Sequence, residues 1–126
     1  MRLSFGGIDK GEKMMKEGMV YIKNNQLTLE GLLSKSSEDK AVVICHPHPL
    51  MGGSMHNNVV EAIQDAYATE NYSTLRFNFR GVEGSTGRYD DGIGEQEDLL
   101  AACKYLQDIG ILKIAFAGYS FGAWVG

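Results

Sequence analysis

The amino-acid sequence predicts an α/β fold, a mostly parallel sheet with helices on both faces, and three observations predict it. Ala41-Val42-Val43-Ile44-Cys45 is an unbroken apolar run rich in β-branched residues, the pattern of a strand buried on both faces. Stretches of helical spacing separate this run from the later ones. Glycine-rich turns follow the apolar runs, and they help bring glycine to 16 of 126 residues.

Residues 1–18 mix charge and glycine and read as a loose leader before a single domain over 19–126. They lack the apolar stretch of a signal peptide. Met19-Val20-Tyr21-Ile22 and residues 27–33 are β-prone and flank Asn24-Asn25, which reads as a hairpin turn. Residues 34–40 form a polar loop. The strand 41–45 then runs into residues 46–53, too rich in Pro and Gly for regular structure. Asn57 or Asn58 caps a helix with Val59, Val60, Ile63, Ala66 and Tyr67 at helical spacing. The next strand, 74–79, places Leu75, Phe77 and Phe79 on one face. A glycine-rich loop over 80–94 leads to a second helix starting near Glu95. Its acidic first turn, Glu95, Glu97 and Asp98, suits the helix dipole, and its apolar stripe is Leu99, Cys103, Leu106 and Ile109. Residues 112–117 form another strand, with Phe116, like Phe77 and Phe79, expected in the core, and Gly118 turns toward a third helix. The order is a hairpin, then β-α-β-α-β, then a helix just begun.

Composition narrows the function classes. The net charge is −4 and the sequence pI is about 5.3, with no Lys/Arg cluster, so no nucleic-acid partner is expected. The apolar runs are far shorter than the roughly 20 residues of a membrane span. Two cysteines, Cys45 and Cys103, read as reduced core thiols in a cytoplasmic protein rather than a disulfide framework.

Gly118-Tyr119-Ser120-Phe121-Gly122 fits G-x-S-x-G, weak by itself but stronger directly after a strand and before a helix. A sharp strand-to-helix turn lifts a serine hydroxyl clear of the sheet. Side chains two residues either side would collide with neighbouring backbone, so Gly118 and Gly122 support the turn. Ser120 is the candidate nucleophile, and the N–H of Phe121 points at a developing oxyanion. The bland alternative is a tight turn in which Ser120 only caps a helix. A second oxyanion donor is expected from the loop 46–53. Pro47 and Pro49 have no N–H, which leaves Leu50 or His48, and the spacing does not choose between them.

Three segments then carry a resemblance: residues 46–58 (His-Pro-His-Pro-Leu-Met-Gly-Gly-Ser-Met-His-Asn-Asn), residues 75–81 (Leu-Arg-Phe-Asn-Phe-Arg-Gly) and residues 118–124 (Gly-Tyr-Ser-Phe-Gly-Ala-Trp). With them the chain resembles the small bacterial α/β-hydrolases of the dienelactone-hydrolase-like group, from about Met19 to Gly126. The resemblance implies an eight-stranded, mostly parallel sheet, a Ser-acid-His triad, and hydrolysis of a small-molecule ester or similar acyl substrate through an acyl-enzyme. It implies no cofactor and no metal. Glu83 departs from the pattern, since the family usually has Gly there, and this bears on the geometry of the 80–85 turn.

In this fold the acid and the histidine follow the serine. Phe121 to Gly126 include neither, and His46, His48 and His56 all precede Ser120. The expectation is therefore an α/β-hydrolase fold truncated after the nucleophile elbow, inactive by itself unless His46 or His48 substitutes as base. The family topology makes the Ser120 strand central, so here it is expected to be a bare, association-prone edge. The rival reading is a catalytically inactive binding domain. A metal site from Cys45, His46, His48 and His56 matches no standard zinc spacing. Residues 90–95 lack the alternating ligands of a calcium loop and read as a turn into a helix cap. Gly81, Gly84 and Gly87 match no nucleotide motif. Arg76 and Arg80 read as loop-fixing residues, with an anion-binding role open for Arg80.

Overall fold

A computed structural model describes residues 17–36 and 39–119. The expected leader up to residue 16, and the elbow residues Ser120, Phe121 and Gly122, lie outside the described residues. Five strands and two α-helices are described: β1 (Gly18–Asn24), β2 (Leu27–Ser34), β3 (Lys40–Cys45), α1 (Asn58–Thr69), β4 (Ser73–Phe77), α2 (Ile93–Asp108) and β5 (Lys113–Gly118).

The hairpin forms because Asn25 accepts a left-handed backbone (φ +56°), which Asn tolerates, and the register pairs Asn24 with Leu27. β2 runs antiparallel to β4, whereas β3 runs parallel to both β4 and β5, giving the order β1-β2-β4-β3-β5. Strand periodicity sorts β3 between two cores. Val43 and Cys45 join Leu75, Phe77, Phe79, Leu99, Ala102 and Leu106 under α2, while Val42 and Ile44 join Val60 under α1. Helices thus cover both faces, as the apolar run of β3 requires. Among the described residues no helix is long and apolar enough to cross a membrane.

Several details differ from expectation. The segment 46–53 includes one 3-10 turn, Pro49–Met51, which His48 caps and which Gly52 closes at φ +82°. α2 begins two residues early, because Gly92 takes φ +88° and the Glu95 carboxylate accepts from the N–H groups of Gly92 and Asp90, both at 2.9 Å. Ile109 lies past the end of α2 and is exposed, while Ala102 fills the stripe instead. Phe116 is 52% exposed rather than core. The alternation is right, but β5 is an edge strand, and nothing among the described residues covers that part of its face.

Glu17 and Gly18, at the end of the expected leader, take part in the fold. The Arg76 guanidinium forks onto Glu17 (Nη2–Oε1 2.7 Å, Nε–Oε2 3.0 Å) and also donates to the Met55 carbonyl at 2.8 Å.

Candidate active site

The chain leaves β3 for α1 on one face and leaves β4 for α2 on the other. Loops that diverge from adjacent parallel strands open a crevice at the carboxyl edge, the usual ligand position in such sheets. A cleft of about 300 Å³ lies there. Pro49, Leu50, Gly53 and Ser54 line one side, and Gly81, Val82, Glu83 and Tyr89 the other. β5 ends at the same edge, because Gly118 pairs with Cys45, the last residue of β3. The chain therefore reaches Tyr119 at the same edge as the cleft loops.

The first wall is built by local constraint. His48 Nδ1 accepts from the Leu50 N–H at 3.1 Å, so in the neutral ring Nε2 carries the proton, 3.1 Å from the Tyr89 hydroxyl. The turn packs so tightly that a Cβ at Gly53 would run into the Pro47 carbonyl, which fixes glycine there. Of the expected oxyanion donors, Leu50 lines the cleft but directs its N–H at His48, which reaches the cleft wall through Tyr89.

His46 is wholly buried and fully committed. The Phe79 N–H donates to Nε2 at 3.1 Å, which assigns the ring proton to Nδ1, and Nδ1 donates to the Pro47 carbonyl at 2.6 Å. Burial pushes its pKa down to about 4. A ring whose basic nitrogen already receives a backbone N–H is not a general base for Ser120, so the substitution entertained for His46 is set aside. His46 is a latch between the loops that follow β3 and β4.

The second wall hangs from Asn78. Its Oδ1 accepts from the Met55 N–H at 2.8 Å, and its Nδ2 donates to Glu30 Oε2 at 2.7 Å and to Glu83 Oε1 at 3.0 Å. Ser85 Oγ donates to the Asn78 carbonyl at 2.7 Å and accepts from the Glu30 N–H at 2.9 Å. Glu83 stands at φ +47°, the left-handed region where a non-glycine residue costs on the order of 1 kcal/mol. That geometry explains why the family pattern has glycine here.

Arg80 lines the cleft, and its charge is compensated within the fold. Its guanidinium forks onto the fully buried Asp98 (Nη2–Oδ1 2.9 Å, Nε–Oδ2 3.2 Å), which also accepts from the Arg80 N–H and from Asn24 Nδ2. Among the described residues no group of three or more His, Cys, Asp or Glu is disposed to hold a metal. Asn78, Glu30 and Ser85 were not singled out from sequence. The available signal was a polar Asn78 between two core phenylalanines.

No family model matches the chain. It is 37% identical over 110 residues, 84% of its length, to an uncharacterised protein of Rickettsia prowazekii, and covers 46% of that protein. Among solved structures, an alpha-beta serine hydrolase homologue from Coxiella burnetii is 36% identical, with a TM-score of 0.79 over 92% of this chain and 57% of that one. A serine hydrolase without lid from Xanthomonas campestris is 32% identical, with a TM-score of 0.81 over 87% of this chain and 53% of that one. By fold, the chain belongs with the α/β serine hydrolases. A third neighbour, an esterase of Pyrococcus furiosus, is 27% identical, with a TM-score of 0.79 over 88% of this chain and 44% of that one. The chain spans about half the length of these relatives.

Proposed function

We propose that the cleft is the substrate site of a serine hydrolase that cleaves an ester or similar acyl bond through an acyl-enzyme on Ser120. The observation that carries this reading is the position of the cleft: it opens where the loops after β3 and β4 diverge, and β5 delivers Gly118 to the same edge. The likeness to serine hydrolases supports it.

Ser120 Oγ attacks the acyl carbon, the alcohol leaves with a proton, and water then releases the acid. The Phe121 N–H and one donor from the opposite turn stabilise the oxyanion. Leu50 serves in that role only after its N–H leaves His48 Nδ1; the His48 N–H is the other candidate. No acid or histidine follows Ser120 among the 126 residues, His46 is committed elsewhere, and both ring nitrogens of His48 are engaged, Nδ1 by the Leu50 N–H and Nε2 with the Tyr89 hydroxyl. Activation of Ser120 therefore calls for a base and an acid from outside these residues.

Fluorophosphonate labelling and hydrolysis of p-nitrophenyl butyrate by the whole protein test the reading. Both are expected, and both are expected to vanish in Ser120→Ala; hydrolysis that survives that substitution overturns it. The 126-residue chain by itself is expected to leave Ser120 unlabelled. A whole protein that is folded yet neither labels nor hydrolyses would instead be the inactive binding domain.

A further inference from the structure

We infer that Glu83 sets the charge preference of the cleft, so that it accepts cationic or neutral acyl substrates and disfavours those bearing a carboxylate. The inference rests on the cleft being the substrate site and names the class of substrate it takes.

The lining has apolar residues on both walls, Pro49 and Leu50 facing Val82, and two charged residues, Arg80 and Glu83. They do not cancel. The Arg80 guanidinium is forked onto Asp98 and approaches Glu97 at 3.7 Å, so its charge is already compensated. The Glu83 side chain is 46% exposed, and the only cation facing it within 4 Å among the described residues is His56, 3.7 Å away and charged only when protonated. With His56 neutral the cleft therefore presents a net negative charge beside an apolar surface.

The backbone gives a second, independent reason to single out Glu83. A long side chain at φ +47° is an outlier, and such strained positions gather at functional sites. Glycine would relieve the strain, yet a carboxylate stands here, held in place by Asn78 Nδ2 on its Oε1. Fixing one oxygen holds the charge at the cleft wall without neutralising it.

The test compares three probes of equal chain length at pH 8: n-butylammonium, n-butanol and butyrate. Each is titrated by NMR into the Ser120→Ala protein and into the same protein carrying Glu83→Gln or Glu83→Gly. Gln keeps the acceptor for Asn78, and Gly suits the left-handed backbone, so neither variant endangers the fold. The expected order is cation, then neutral, then anion, with steps of about two- to fivefold for a half-exposed charge. Both variants are expected to bring all three probes within twofold of one another. An order that is absent from the parent, or that survives Glu83→Gln, overturns the inference. Failure of the enzymatic reading looks different: the probe order persists while Ser120 in the otherwise unaltered whole protein neither labels nor turns over ester.

Discussion

His46 shows how much one side chain can hold when both ring nitrogens are committed. It is neutral in the folded chain, with its pKa near 4 against an ordinary value near 6.5. Because the folded value is depressed, the unfolded chain binds the proton more readily at acid pH. The contribution to stability is complete above about pH 6.5, declines as the pH falls toward 4, and is then lost, by about 3 kcal/mol in all. Urea unfolding from pH 7.5 to 4 should show this decline in the parent and a shallower one in His46→Asn, which has no proton to bind. Equal slopes in the two proteins would remove the latch from the account. The sequence placed His46 at the end of a strand near the candidate site but did not reveal this role, because its partners are a backbone N–H 33 residues away and a neighbouring carbonyl. Backbone partners leave no mark in side-chain patterns. Glu83 is the contrasting case: its departure from the glycine of the family pattern was visible, and its left-handed φ follows from that same pattern.

At the level of elements, β3 and both helices were legible because each buries a face with its own period, two or 3.6 residues. What was not legible is the joining of the elements by polar groups. Asp98 was read as a first-turn carboxylate suited to the helix dipole, yet it is fully buried and ties α2 to Arg80 and to Asn24 at the end of β1. Burying a charge is tolerable only with its partner present, so removing one side strands the other. Asp98→Ala should lower stability by about 3 kcal/mol, and Arg80→Ala should do comparable harm. The double substitution should fall well short of their sum, since each single change already breaks the pair. Denaturant midpoints for the four proteins close this cycle. Additive losses would mean that Arg80 and Asp98 act separately and that something else joins α2 to the sheet. A helix stripe reveals which face of α2 meets the sheet; it does not reveal that a carboxylate within that same buried face, Asp98, anchors the helix to Arg80 and Asn24.

For the whole molecule, the sequence anticipated mixed sheet pairing and helices on both faces, whereas the placement of Phe116 depended on information from beyond its own strand. Alternation along β5 puts Phe116 on the same face as Ile114, which packs against the main core. Burial also requires a neighbour across the edge, and β5 pairs only with β3 among the described residues. Phe116 at 52% exposure and Leu112 at 76% therefore stand next to an unpaired edge. Open edges of this kind invite pairing with another chain, and a charged side chain blunts that tendency. The 126-residue chain should self-associate measurably in sedimentation velocity over a concentration series, whereas Phe116→Lys should shift it toward monomer. Burying the exposed half of a phenylalanine contributes about 1 kcal/mol, which corresponds to roughly fivefold weaker association after the change. Ile93, exposed at the start of α2 on a different element, supplies the control: Ile93→Lys removes a comparable apolar side chain but should leave association unchanged. If both substitutions act alike, the association is general surface hydrophobicity; if only Phe116→Lys acts, the β5 edge carries it.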